Sequence, residues 1–205
     1  MARVIGQIDV AKSEAILDAA LGVFVERGIS APIEEIARRA GVSKQTIYNH
    51  YGSKAELVKA LTARRVHEMV APLETEEGVA DPEQALRGFA RVLLDKLLSD
   101  RSRAFLRMAI LGAADAPELG RAVWEAGPRT SRLRLAEFLD METKAGRVAC
   151  PDPMEAAEFF AGMVIGSYQT AALLGVDRPL NEAAVERIAS EAARRFMKAY
   201  AAGAS

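Results

Sequence analysis

The chain has 205 residues, of which 50% are hydrophobic and 27% are charged, so it can bury a core and is not intrinsically disordered. Its 27 Lys and Arg nearly balance its 28 Asp and Glu, and the net charge of −1 excludes a polyanion partner bound through bulk charge alone. The single cysteine, Cys150, excludes an internal disulfide framework and a four-cysteine zinc site.

The chain shows no membrane signal. Its most apolar window, residues 159–175, has 17 residues and is interrupted by Ser167, Gln169 and Thr170. That length and polarity predict a buried helix rather than a membrane span. The start, MARVIGQIDV, lacks the apolar stretch of a signal peptide. We therefore expect a cytoplasmic protein with no membrane partner.

Apolar residues recur at intervals of three and four, and no segment alternates like a strand, so the sequence predicts an all-α fold of nine to ten helices. Caps and glycines set the expected ends of these helices. Residues 1–53 are expected to form one domain of three helices, and residues 54–205 a second helical domain that begins with a helix over 54–70. Ile16, Ala20, Val23 and Phe24 mark one face of the first predicted helix, which Gly28 ends. The other predicted helices run over 33–39, 44–50, 54–70, 81–99, 101–113, 118–126, 129–144, 153–174 and 181–201.

The second and third helices are joined like a helix-turn-helix motif. Ala37 is small enough for the next helix to cross closely, and Gly41 permits a left-handed turn. Val42 fills the space between the two helices, and Ser43 caps the helix that follows. The capped N-terminus, with its free N–H groups, is then exposed.

The third helix presents groups that suit a DNA groove. Ile47 and Tyr51 are four residues apart and should face inward, whereas Lys44, Gln45 and Asn49 fall on other faces. Such side chains can make bidentate contacts to base edges in the major groove. No Asp or Glu occurs from residue 41 to residue 54, although residues 1–65 hold seven acids and ten Lys or Arg. This mildly basic segment permits nucleic-acid binding.

The segment IEEIARRAGVSKQTIYNHYGSKAELVKAL closely resembles the DNA-binding domain of tetracycline-repressor-like (TetR/AcrR) transcriptional regulators over about residues 10–65. The resemblance implies an all-helical homodimer that binds a double-stranded DNA operator and a small-molecule effector. It also implies a DNA-contacting set by position: Ser43, Lys44, Gln45, Thr46, Tyr48, Asn49, His50 and Lys54. We assign Lys44, Gln45 and Asn49 to bases and Tyr48, His50 and Lys54 to phosphates, and we leave the targets of Ser43 and Thr46 open. Ala31 departs from the family, which often has Ser or Thr there, so no phosphate contact is expected from it.

Residues 105–128 and 155–175 are similar to an AefR-like branch of these regulators, and this similarity does not identify a ligand. We expect some bulky side chains to line an effector cavity and others to fill the core; the candidates are Phe89, Phe105, Met108, Trp124, Phe138 and Tyr168. Gly162 and Gly166 allow a close helix approach, either at a dimer interface or within one subunit.

Motifs for catalysis, metals and cofactors are absent from the sequence. It has no nucleophile elbow, Rossmann glycine pattern, P-loop or H-E-x-x-H motif, and two histidines and one cysteine leave few metal ligands. We therefore expect no cofactor, metal or catalytic residue, and the resemblance to TetR/AcrR regulators implies a ligand-responsive repressor. The alternatives are a helical small-molecule-binding protein with a non-functional DNA head and an uncharacterised all-helical enzyme.

Overall fold

The computed structural model describes residues 10–75, 81–176 and 178–202, which form helices joined by short turns. The helices are α1 (Val10–Arg27), α2 (Ile33–Ala40), α3 (Lys44–Tyr51), α4 (Lys54–Val70), α5 (Pro82–Leu98), α6 (Asp100–Gly112), α7 (Pro117–Trp124), α8 (Thr130–Lys144), α9 (Pro153–Ile165), α10 (Tyr168–Leu173) and α11 (Glu182–Ala199). Within these ranges, extended pairing is limited to one bridge between Val148 and Ala201. The predicted all-α class is confirmed, and no described helix is long and apolar enough to span a membrane.

Contacts divide the chain into two compact units. The first runs to Arg64 and also takes in Ala104–Gly127, whereas the second comprises Arg65–Arg103 and the residues from Pro128 onward. This division differs from the boundary at residue 53 drawn from the sequence, because apolar side chains of α4, α6 and α7 complete the core of the first unit. They are Leu57, Val58, Leu61, Phe105, Ala109, Leu119, Ala122 and Val123.

An aromatic row runs through the core of the second unit. The Phe160 ring on α9 lies 6.3 Å from the Phe89 ring on α5 and 5.3 Å, edge to face, from the Phe196 ring on α11. Phe196 in turn stacks on Tyr200 at 4.5 Å. Because aromatic pairs at these separations attract beyond the area they bury, this row ties three helices together.

Side-chain caps begin two helices of the second unit, α5 and α9, where the sequence predicts them. The Asp81 carboxylate accepts from the N–H groups of Glu83 and Gln84 at 3.0 and 3.1 Å. The Asp152 carboxylate repeats the arrangement at the start of α9. In both cases a proline occupies the first helical position, where its missing N–H costs no hydrogen bond.

Two predicted helix boundaries differ from the structure. The helix expected over 153–174 is broken at Gly166. Its φ of 47° and ψ of −133° lie in a backbone region that residues other than glycine rarely adopt. Conversely, the gap expected near Gly127 is closed by a π-helical turn, Glu125–Arg129, that contains Pro128. Proline lacks an amide donor and crowds the carbonyl four residues back, and a wider turn accommodates it.

Candidate nucleic-acid interface

The turn between α2 and α3 has the geometry that its sequence predicts. Gly41 ends α2 in the left-handed region, with φ 65° and ψ 32°. The Gly41 N–H reaches the Arg38 carbonyl at 3.4 Å, and the Val42 N–H donates to the Ala37 carbonyl at 3.0 Å. This pair of bonds is a Schellman motif, which satisfies the last carbonyls of α2 and turns the chain sharply. A side chain at residue 41 would strain the turn because of its positive φ.

Helix α3 is held by a cap and by its apolar side. The Ser43 hydroxyl accepts from the Thr46 N–H at 3.0 Å, as a helix cap does. Ile47 is 1% exposed in the core of the first unit, and the Tyr51 hydroxyl lies 3.0 Å from the hydroxyl of Ser13 on α1. These contacts orient α3 so that its opposite side faces solvent.

The exposed side of α3 carries the predicted base-contacting residues. Lys44, Gln45, Asn49 and His50 are exposed, and Tyr48 is half-buried against the core. The Gln45 amide donates to the Asn49 carbonyl oxygen at 2.7 Å. One turn apart, the two amides hold each other in a defined orientation and still offer the remaining donor and acceptor to a base edge.

Lys44 has an acidic neighbour on α2. Its ammonium donates to the Glu34 carboxylate at 2.5 Å and lies 5.7 Å from the centroid of the Tyr48 ring. The hydrogen bond to Glu34 raises the pKa of Lys44, and the bond to Lys44 lowers the pKa of Glu34. Both groups are largely exposed, so the pair is screened by solvent and a DNA acceptor can replace Glu34.

Lys54 contacts α1 and the turn before α2. Its ammonium donates to the Ala31 carbonyl at 2.7 Å and lies 5.7 Å from the centroid of the Phe24 ring, and burial lowers its pKa. This anchor joins the start of α4 to the turn before α2, which the sequence did not indicate. Ala31 itself is buried, so the structure leaves it no role toward DNA. The phosphate contact of Lys54 stays a prediction.

The proposed effector residues do not form one cluster. Phe89 and Phe138, 1% and 2% exposed, pack in the core of the second unit, and Phe105 packs in the core of the first. Met108 and Trp124 belong to the first unit, where Trp124 is 55% exposed. Tyr168 lines a cavity of the second unit together with Arg103 and Arg178, which sequence reasoning missed.

The two glycines proposed for a helix interface differ in role. Gly162 is exposed on α9, and a Cβ added to it would meet no atom within 4 Å. Packing within this subunit therefore does not require glycine there. Gly166 is required by its backbone, since it ends α9 with a positive φ. Phe159 and Met163, 57% and 43% exposed, flank Gly162 and leave an apolar surface on α9.

A capped helix with an exposed amide pair, set by a tight glycine turn against a three-helix core, defines a helix-turn-helix DNA-binding protein. Residues 16–61 match the sequence profile described as bacterial regulatory proteins of the tetR family. Residues 84–202 match the profile of the AefR-like transcriptional repressor C-terminal domain. The chain belongs to the TetR family of transcriptional regulators, as the sequence resemblance predicted.

Relatives with names and solved structures agree with this assignment. SrpR of Pseudomonas putida, an HTH-type transcriptional regulator, is 33% identical over 103 residues, which span 50% of this chain and 47% of SrpR. The Flavonoid-responsive Regulator FrrA is 32% identical with a TM-score of 0.72, covering 94% of this chain and 98% of FrrA. A TetR-family regulator from Mesorhizobium loti MAFF303099 is 26% identical with a TM-score of 0.76, and the match covers 95% of this chain and 100% of that regulator.

Replacing Gln45 by Ala should relax preference at particular operator positions by about 1–3 kcal/mol, because a bidentate contact to a base edge is lost. The loss of base preference caused by Asn49→Ala should overlap with that of Gln45→Ala rather than add to it, because the two amides contact each other. Binding titrations on the operator and its single-base variants measure this. Gln84→Ala, at an exposed position of α5, is the matched control. Equal weakening on operator and unrelated DNA contradicts base reading.

Replacing Lys54 by Gln tests its phosphate role. Loss of one neutralised phosphate should weaken binding to all DNA sequences alike and make the logarithmic salt dependence shallower by about one unit. Titrations at several salt concentrations give the slope, and thermal unfolding reports the bond to Ala31. An unchanged slope with a lowered melting temperature assigns Lys54 to that bond alone.

Proposed function

We propose that this protein is a ligand-responsive transcriptional repressor. It acts by binding rather than by catalysis, in the cytoplasm, and holds a pseudo-palindromic operator as a homodimer. A small, mainly apolar effector bound in the second unit releases the operator. The observation that carries the proposal is the solvent-facing Gln45 and Asn49 pair on a capped helix, in a stretch of chain free of acidic residues.

Operator geometry follows from two-fold symmetry. Two copies of α3, one from each subunit, enter successive major grooves when the half-site centres are about one helical turn, roughly 34–36 Å, apart. Repression is supported by the AefR-like repressor profile that matches residues 84–202. An effector that favours a different spacing of the two heads lowers operator affinity. A coupling of about 1–3 kcal/mol corresponds to a roughly 5–150-fold change.

The proposed dimer interface lies on α9. Phe159, Gly162 and Met163 form an exposed apolar surface, and Gly162 leaves a gap in it because glycine has no side chain. A second copy of α9 is the proposed occupant, because a glycine opening permits close approach of two helices and an isologous two-fold interface pairs a surface with itself. The same symmetry is what a pseudo-palindromic operator needs.

A gel shift with the DNA upstream of the protein's own gene tests the proposal. We expect a shifted band that persists against an excess of unrelated DNA, because base contacts add to the phosphate contacts. The shift should be weakened by a single change at the paired half-site positions. Failure to select any DNA over unrelated sequence supports the alternative of a small-molecule-binding protein with a non-functional head.

Gly162→Glu should convert the dimer to monomers, because two like charges would be buried where the surfaces meet. Since no atom lies within 4 Å of the added Cβ, the subunit itself should remain folded. Analytical ultracentrifugation measures the assembly state, and circular dichroism verifies the helix content. Ala183→Glu, exposed on α11, is the control. A variant that still sediments as a dimer places the interface elsewhere.

A further inference from the structure

A cavity of about 190 Å³ opens within the second unit, and Tyr168, one of the effector residues predicted from the sequence, lines it. The ends of α5 and α10, the first turn of α6 and the loop before α11 surround it. The lining residues are Leu98, Arg103, Tyr168, Ala172, Val176, Arg178, Pro179 and Leu180. Since a cavity of about 150 Å³ holds a benzene molecule, this one is suited to a single ring with one small substituent.

Two guanidinium groups give this cavity a positive character. Arg178 stacks on the Tyr168 ring, with its guanidinium carbon 4.9 Å from the ring centroid, and it donates to the Ser167 hydroxyl at 2.8 Å. Neither of these neighbours carries a negative charge. The planar fork of an arginine that is held by stacking is preorganised for a carboxylate.

Arg103 is the second guanidinium, and it is paired with Asp100 one turn away on α6. The Asp100 side chain is 92% exposed, so water can solvate it when the pair opens. Exposed ion pairs at this helical spacing are weak. A ligand carboxylate in the cavity, partly shielded from water, can therefore replace Asp100 as the partner of Arg103.

The remaining wall is apolar. Leu98, Ala172, Val176 and Leu180 contribute aliphatic surface, and the Tyr168 ring adds an aromatic face. Aliphatic walls with a few convergent polar groups are the usual composition of a small-molecule site. We infer that the effector is a monocyclic aromatic carboxylate, held with its anionic group between Arg103 and Arg178 and its ring against this wall. This inference rests on the proposed function and identifies the effector's chemical class and its site.

The turn that carries Arg103 is hydrogen-bonded to α4. Ser99 and Ser102, in the turn that also carries Arg103, lie 2.6 Å apart, hydroxyl to hydroxyl. Ser102 accepts a hydrogen bond from Arg65 of α4. The next residue back, Arg64, bonds Glu14 at 2.5 Å and Asp18 at 2.9 Å, both on α1 of the first unit. Recruitment of Arg103 by the ligand would move this turn, and Ser102 would pass the displacement to Arg65 and thus to α4.

Isothermal titration calorimetry of the full-length protein with benzoate tests the site. We expect benzoate to bind the unmodified protein and to bind Arg178→Met at least tenfold more weakly. Arg187→Met, which removes an exposed arginine of α11, should bind benzoate unchanged. Benzamide, which matches benzoate in shape but lacks its charge, should bind at least tenfold more weakly than benzoate.

Absence of benzoate binding at millimolar concentration, or equal affinity of Arg178→Met and the unmodified protein, would overturn the inference. Neither result would affect operator binding, which the gel shift measures separately. Conversely, a protein that binds benzoate through Arg178 but selects no DNA retains the site and loses the proposed function.

Ser102→Ala tests the connection to α4. Benzoate affinity should stay within threefold of the unmodified protein, because Ser102 does not line the cavity. Benzoate should weaken operator binding at least tenfold in the unmodified protein and less than threefold in the variant. Ser190→Ala on α11 is the control for removing a half-buried serine hydroxyl. If benzoate weakens operator binding by Ser102→Ala as much as by the unmodified protein, the route through Ser102 is refuted.

Discussion

The orientation of α3 depends on a turn of three residues. Gly41 takes a left-handed conformation that closes α2, Val42 packs against the core, and Ser43 caps the helix that follows. Without the positive φ at Gly41, the chain would not reverse sharply enough for Ile47 to reach the core. Because Ile47 and Tyr51 anchor the inner side of α3, Gln45 and Asn49 must face solvent.

The charge around α3 depends on the residues close to it and not on the net charge of the whole chain. The whole chain carries a net charge of −1, yet the stretch from residue 41 to residue 54 has no acid. The nearest acidic partner, Glu34, comes from α2 and pairs with Lys44 at the exposed surface. Solvent screening keeps such a pair weak, so it orients the lysine without withholding it from a phosphate or base. Specific binding then relies on local hydrogen-bonding groups, not on a strongly basic protein.

Local signals in the sequence predicted most of the fold. The glycines at 28 and 41, the caps at Ser43, Asp81 and Asp152, and the apolar periodicity all act over a few residues, so their effects can be read directly. The break at Gly166 is not visible in the sequence, because the glycine lies in a continuous apolar pattern that favours one long helix. The sequence around Pro128 predicts a break, because it does not show that a π-helical turn can accommodate proline.

The site residues also divide into those that local sequence patterns predict and those that depend on tertiary contacts. The exposed side of α3 follows from helix periodicity within eight residues, and the structure leaves Gln45 and Asn49 exposed there. By contrast, Arg103 and Arg178 meet at one cavity although they are far apart in sequence. Likewise, the Lys54 bond to Ala31 and the addition of residues 104–127 to the first unit depend on tertiary contacts. No spacing rule in a single sequence encodes such contacts.

Selection of bound DNA from a random pool measures whether the exposed side of α3 reads base edges as a two-fold pair. We expect enrichment of an inverted repeat whose half-site centres are about ten base pairs apart. We further expect the Asn49→Ala protein to enrich the same repeat with at least one position in each half-site degenerate. A pool that remains random, or an identical motif from both proteins, would contradict base reading by α3.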